Sequence, residues 1–326
     1  MIFTTRTFLI FFGIFLTLYF IAVICARSRN ESSVIKIINL LILSSSLTFY
    51  GWSQPEYIIL LFISGVVDFF AALAIFRTNT DSKKNSYLAL SIVCNLGILF
   101  AFKYSDFALT VLQDLFDAPL IDGFLPEALS SIKLEKFSIF KNVILPAGIS
   151  FYTFQSMSYT IDVYRGSLNP TKDFLRFMTY LSFFPQLVAG PIERAGSLLP
   201  QFNFIKTFNF ETATKGVQLI AWGAFKKLII ADNIGKLVDM TYGTYEPGTG
   251  SIFKTIFAGA GFGIQIYMDF CAYSEIAVGL ALVLGFKLMI NFKQPYMRAN
   301  IREFWRNWNI SLSQWFRDYI YFPLSK

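Results

Sequence analysis

The residues best equipped for chemistry stand near the C-terminal end of this 326-residue sequence, in the stretch 302–319. Read as one helix, it carries Arg302, Arg306, Asn309, Ser313 and Arg317 on a polar stripe, with Phe304, Trp308, Leu312, Trp315 and Tyr319 on an aromatic and apolar one. The functional reading sets Asn309 against a reacting group as the candidate catalytic residue. Arg306, Ser313 and Arg317 then position a substrate or an anionic donor. The same pattern also describes an amphipathic anchor in a membrane interface, its arginines among the headgroups.

A second set of candidates is acidic. Asp68 falls inside an apolar run, and Asp269 and Glu275 flank 270–274, within reach of Tyr267 and Tyr273. Ionisable side chains at membrane depth are costly unless partnered. Asp269, Tyr273 and Glu275 therefore read either as the lining of an internal passage or as a polar lock between helices. The sequence contains no His, which excludes His-dependent triads, His–metal sites and an imidazole base; no metal is expected. Cys25, Cys94 and Cys271 are odd in number and lie in or beside apolar runs, so no disulfide framework is expected.

These side chains need a scaffold, and composition says of what kind. Hydrophobic residues make up 55% of the chain, aromatics 18% and charged residues only 15%, where a soluble domain carries about 25% charge. Runs over 8–25, 37–52, 57–76, 87–102 and 143–161 approach the length of a bilayer-crossing helix. Backbone in hydrocarbon must satisfy its own hydrogen bonds, and the alternating pattern of a barrel is absent, so the expected class is all-α: a polytopic membrane bundle. Arg27, Arg29 and Lys36 after the first span, and Arg77, Lys83 and Lys84 after the third, assign those loops to the cytoplasm, while Asp106, Asp114, Asp117, Asp122 and Glu127 face outward. The net charge of +7 is scattered through loops, which argues against nucleic acid.

Three segments depart from a simple span. The run 177–192 is broken by Pro185, Gly190 and Pro191, predicting a broken or re-entrant helix beside a cavity. The run 217–231 contains Lys226 and Lys227, read as snorkelling from an interfacial helix. Over 255–268, Gly259, Gly261 and Gly263 predict close helix packing rather than a nucleotide loop.

Several motifs together resemble one family. FWRNWNISLS (304–313) is similar to the signature of membrane-bound O-acyltransferases. LPAGISFYTFQ (145–155), SYTIDVYR (158–165), FFPQLVAGPI (183–192), and YMDF (267–270) with YSE (273–275) resemble its bacterial branch, which includes the alginate O-acetylation and teichoic-acid D-alanylation proteins. On this resemblance the chain is one membrane domain, with less recognisable spans over 1–142 and a family-like core over 143–326.

The resemblance implies a helical funnel with a tunnel, in a multi-pass protein of the bacterial cytoplasmic (inner) membrane. It implies transfer of an acyl group, in this branch acetyl or another short one, from a cytoplasmic donor to a hydroxyl of a surface or exported polysaccharide such as alginate. The donor is an acyl-CoA or acyl carrier used as co-substrate, with no tightly bound cofactor. Implied partners are the bilayer, the donor and an extracytoplasmic acetyltransferase. In the family an Asn or His on the amphipathic helix orients groups, and a second His on later spans is the general base. Asn309 takes the first role. The second His has no counterpart among these residues, which stop at Lys326, so the chain alone is expected to transfer an acyl group weakly or not at all, unless a second polypeptide completes it. A catalytically silent assembly or binding partner, and a glycan or lipid transporter, are the alternative readings.

Overall fold

The structure is a computed structural model, and it describes residues 1–25, 31–52, 54–104, 107, 111, 146–243 and 252–325. Among them all regular structure is helical. The acidic positions Asp106, Asp114, Asp117, Asp122 and Glu127, together with Arg27 and Arg29, lie outside the described residues.

Helices α1 (Arg6–Cys25), α2 (Glu31–Gly51), α3 (Ile58–Arg77) and α4 (Asp81–Lys103) form where the first four apolar runs predicted them. Each is long and apolar enough to cross a membrane, α3 together with the turn Pro55–Tyr57 before it. On α1 the two faces separate by size and shape. Phe8, Phe15 and Tyr19 are buried, whereas Leu9, Ile10, Ile14, Leu18, Ile21 and Ile24 are exposed, as expected of a helix with lipid on one side.

The fifth run behaves differently. Helix α5 (Ile149–Tyr164) is short and holds Thr153, Gln155, Ser156, Ser158 and Thr160 buried. It is an inner helix wrapped by α3 and α4 rather than a lipid-facing span. Gly148 starts it at φ 74, with a Cβ position pressed on the backbone of Leu187 and Val188, so only glycine fits there. Asp68 on α3 fastens the three helices: Ser91 and Asn95 of α4 and Ser156 of α5 all donate to its carboxylate.

The predicted break is present. α6 (Phe174–Ser182) stops at Phe183 and α7 (Phe184–Leu187) restarts with Pro185 in its first turn, where the missing N–H costs nothing. The backbone groups freed there are met by side chains, as buried irregular chain requires. Gln155 and Gln186 both donate to the Tyr180 carbonyl, at 3.0 and 3.1 Å, and Ser46 accepts from the Phe184 N–H at 3.1 Å. Residues 177–187 are buried. Protein covers this segment along its length, and Val188 just after it lines a cavity of about 190 Å³ together with Tyr50, Tyr57 and Tyr273.

After α8 (Ala195–Leu198), α9 (Phe210–Phe225) runs through a π turn (Lys226–Ala231) into α10 (Asp232–Gly243). Both helices pack on the 32-residue α11 (Ile252–Val283), the fifth candidate span. The two lysines read as snorkelling are both ion-paired. Lys226 pairs with Glu275 at 2.7 Å, and Lys227 bridges Asp232 and Asp269 at 2.9 and 2.7 Å, because the π turn aims them at α11. The glycine prediction is corrected as well. A Cβ added at Gly259 or Gly263 would meet no more than a tyrosine hydroxyl at ordinary contact distance, and Gly261 alone of the three lies close to a neighbour, Val238. The tight crossing is made by Gly216 and Gly279, whose Cβ positions would lie 2.7 and 2.6 Å from each other's carbonyl oxygens, and by Gly223 against the Ala272 carbonyl.

Candidate functional site

The C-terminal stretch is not one helix. α12 (Ile301–Asn307) is capped by the Asn300 side chain, which accepts the Glu303 N–H at 2.9 Å. It ends at Trp308, which is extended, and Asn309 adopts left-handed backbone at φ 39 before α13 (Ile310–Phe316) and a π turn (Arg317–Tyr321) follow. Asn is among the few residues that accept this conformation at modest cost. The stripe of Arg302, Arg306, Asn309, Ser313 and Arg317 therefore does not exist as a single face.

A short extended segment clamps the break. The Asn291 carbonyl accepts the Ile310 N–H at 2.9 Å, and its side-chain Oδ1 accepts the Ser311 N–H at 3.1 Å. The Lys293 N–H donates to the Asn307 carbonyl at 3.1 Å. From the other side, the Ile192 N–H donates to Ser311 Oγ at 3.0 Å, joining the break to the end of the FFPQLVAGPI motif. Helix α13 then docks on α5: Trp315 Nε1 donates to the Phe154 carbonyl at 2.8 Å, and Tyr319 donates to Asp162 at 2.8 Å.

Two polar atoms in this clamp are buried without a partner, Asn309 Oδ1 and Asn291 Nδ2. The Ser311 N–H fixes Asn291 Oδ1 as the acceptor, so the free atom of that side chain is a donor. One free acceptor and one free donor thus flank the same helix break, in a site where Asn309 is 6% and Asn291 1% exposed. Leaving such groups unpaired costs ~1–3 kcal/mol each, so both atoms are open to a polar group that enters the break.

Beside it lies Glu193, 2% exposed, whose carboxylate accepts the Met289 N–H. Burial pushes this carboxyl up to about 7, against the opposing pull of that N–H and of Arg194. Burial likewise raises the Tyr319 hydroxyl above its ordinary value.

The remaining sequence candidates separate. Ser313 Oγ donates to the Trp308 carbonyl at 3.2 Å, so it braces the break next to Asn309. Arg306 is exposed on α12, before the break, and Arg317 pairs with Asp318 at 2.8 Å after it. Asp269, Tyr273 and Glu275 share α11 but no common lining: the two acids hold Lys227 and Lys226, whereas Tyr273 stacks on Phe3, their ring centroids 4.5 Å apart, and lines the small cavity. Asn291, Ser311 and Glu193 were missed. Their one signal in the sequence is polarity inside short apolar stretches, LMINF for Asn291 and NISL for Ser311. Among the described residues no group of three or more His, Cys, Asp or Glu side chains is placed to share a metal ion.

Residues 167–326, which include this whole clamp, match the model of the membrane-bound O-acyltransferase family. The chain is 36% identical over 326 residues to a probable alginate O-acetylase of Pseudomonas syringae pv. tomato, covering 99% of this chain and 57% of that protein. It is 32% identical over 306 residues to a peptidoglycan O-acetyltransferase of Helicobacter pylori, covering 86% and 54%. With a teichoic acid D-alanyltransferase of Bacillus subtilis it shares 29% over 184 residues, covering 55% and 46%. The chain thus spans somewhat more than half the length of the two O-acetylases. Among the described residues the structure is all-helical with five candidate spans, and with these similarities the conclusion is that the chain belongs to the membrane-bound O-acyltransferase family and is a bacterial membrane protein.

Proposed function

We propose that this chain carries the acyl-positioning half of a membrane O-acyltransferase acting on a cell-surface or exported polysaccharide, in the cytoplasmic membrane. One observation carries the reading: at one helix break, the buried Asn309 has a carboxamide oxygen and Asn291 an amide donor without a hydrogen-bond partner. Acyl transfer needs both kinds of group. The acceptor hydroxyl oxygen bonds to the acyl carbon, the donor's bond to that carbon breaks, and negative charge grows on the carbonyl oxygen. A buried amide donor stabilises that oxygen most where water is excluded. A fixed acceptor holds the incoming hydroxyl in line.

The hydroxyl proton needs a base, and these 326 residues contain no His. In this proposal the base stands outside them, in further sequence or in a second polypeptide. The names of the O-acetylase relatives favour acetyl as the group and alginate or a related glycan as the acceptor. An acyl-CoA or acyl carrier is the donor, and an extracytoplasmic acetyltransferase is the partner that finishes modification of the polymer.

Complementation tests this. The chain is expressed in a strain lacking its polysaccharide O-acetylation membrane protein, with and without the open reading frames adjacent to its gene, and ester-linked acetate on the polymer is quantified. Acetate restored only with the added sequence supports the proposal. Acetate restored by the 326 residues alone contradicts the external base. None in either case, with the protein inserted in the membrane, identifies a silent scaffold.

A further inference from the structure

Where α1 meets the end of α11, two lysines face one pocket. It holds about 110 Å³ and lies between two candidate spans, with Tyr19 and Phe20 of α1 on one wall and Leu282 and Val283 of α11 on another. The Tyr19 hydroxyl ties the walls together by donating to the Leu284 carbonyl at 3.0 Å. Lys206 and Lys287 line the same pocket, and Thr212 of α9 adds a hydroxyl.

Both lysines are held. The Gln201 side chain accepts the backbone N–H of Lys287 and donates to its carbonyl, each at 2.9 Å. The stem of Lys206 lies against the turn at Gly285, where φ is 83 and an added Cβ would stand 3.0 Å from that of Lys206. Its ammonium sits 4.9 Å from the centroid of the Phe286 ring.

The charge here has one sign. No carboxylate lines the pocket, and among the described residues neither ammonium is ion-paired. Glu211, the nearest acid along the chain from Lys206, is taken by Lys215 at 2.6 Å. Burial, and then the like charge of Lys287, hold the Lys206 ammonium below its ordinary value. An anion in the pocket relieves both costs.

The surroundings are those of a bilayer interface. Phe208 lines the pocket and packs edge-on against Phe20, their centroids 5.5 Å apart. It is exposed, as are Phe204 and Phe210 on either side of it, and exposed phenylalanines beside lysines suit the boundary of headgroups and chains. Helix α1 ends at Cys25, shortly after Tyr19 and Phe20, and the chain continues to Arg27, Arg29 and Lys36. That is the side the basic loops assign to the cytoplasm.

We infer that this pocket seats the headgroup phosphate of an anionic phospholipid of the phosphatidylglycerol type, with Lys206 and Lys287 on the phosphate and the chains along the exposed apolar residues of α1. Basic pockets between spans on the cytoplasmic side recognise such headgroups. A zwitterionic lipid fits less well, because its ammonium would meet two lysines and no acid. The volume is far below the roughly 300 Å³ at which pockets for whole drug-sized ligands begin, so it admits a headgroup and not a nucleotide. Lipid retention is read without catalysis and is independent of the acyl-transfer reading.

The test reconstitutes the chain in nanodiscs of equal phosphatidylglycerol and phosphatidylcholine and counts the lipids retained in native mass spectrometry. Phosphatidylglycerol is expected to be favoured about thirtyfold, and Lys206→Gln and Lys287→Gln each to lower that preference about fivefold. Lys287 is exposed, so Lys287→Gln keeps the fold, which an unchanged thermal unfolding curve verifies. Lys215→Gln removes the same charge from α9 outside the pocket and is expected to leave the preference unchanged. Glycerol phosphate in large excess, which offers the phosphate without chains, is expected to leave the lipid in place. Equal retention of the two lipids overturns the site, as does a preference that survives the double lysine variant or falls equally in Lys215→Gln. Displacement by glycerol phosphate overturns the lipid as its ligand.

Discussion

At Asn309 two roles coincide, and substitution separates them. The left-handed backbone at φ 39 is a steric matter, while the free Oδ1 is a chemical one. Asn309→Gly is expected to unfold at a temperature close to that of the unsubstituted protein, because glycine adopts this conformation freely. Asn309→Ala is expected to be less stable than Asn309→Gly by about 1 kcal/mol, because alanine keeps the Cβ but loses the short polar side chain that lets Asn occupy left-handed backbone; thermal unfolding in one detergent compares them. Glu193 gives a pH signature. Its folded carboxyl titrates near 7 against an ordinary 4.5, so the native state holds the proton more tightly than the unfolded one. Stability from this group is complete below 4.5 and is lost as pH rises through 7. Glu193→Gln is expected to flatten that fall, since its amide oxygen still accepts the Met289 N–H; unfolding midpoints measured across the window decide it. Asn309 was legible from its place in the FWRNWNISLS motif. Asn291 was not, because what makes it important is pairing across 20 residues of chain, and no local pattern encodes that.

At the level of elements, the apolar runs of α1 to α4 were legible because a bilayer demands length and hydropathy, both local properties. Helix α5 was read as a span because hydropathy counts its aromatic residues and misses that Gln155, Ser156 and Ser158 are answered by neighbours. The helix break at Trp308 was hidden for a related reason: every residue from 302 to 319 has tolerable helix propensity, and the Asn291 clamp overrides it. For glycines, the informative spacing was Gly216 and Gly223 facing Ala272 and Gly279, seven residues apart on each helix, rather than the cluster 259–263. Gly279→Val is therefore expected to separate α9 from α11 and to cost ~2–4 kcal/mol or prevent folding, as overpacking against backbone does. Gly259→Ala is expected to be neutral or slightly stabilising, having open space and a helical position. Fluorescence-detected size exclusion after heating distinguishes the two.

Across the whole molecule, sequence motifs far apart meet at one place. The LPAG turn seats on the broken helix, the end of the FFPQLVAGPI segment donates to Ser311, and α13 docks on α5, so the motif set that marked the family is a single connected interior. Of the two readings of Asp269, Tyr273 and Glu275, passage lining or polar lock, the two acids follow the lock, because the π turn brings Lys226 and Lys227 to them. The acyl-transfer centre we propose lies instead at Asn309 and Asn291. Its most direct test is ester-linked acetate on the polymer in a strain where the chain and its complement support acetylation, with Asn309→Gly in place of the unsubstituted chain. The account predicts equal protein in the membrane and at least about a hundredfold less acetate, the scale of losing one transition-state hydrogen-bonding group. Acetate within about twofold of the unsubstituted level would contradict it, because the backbone of Asn309 would then be all that matters.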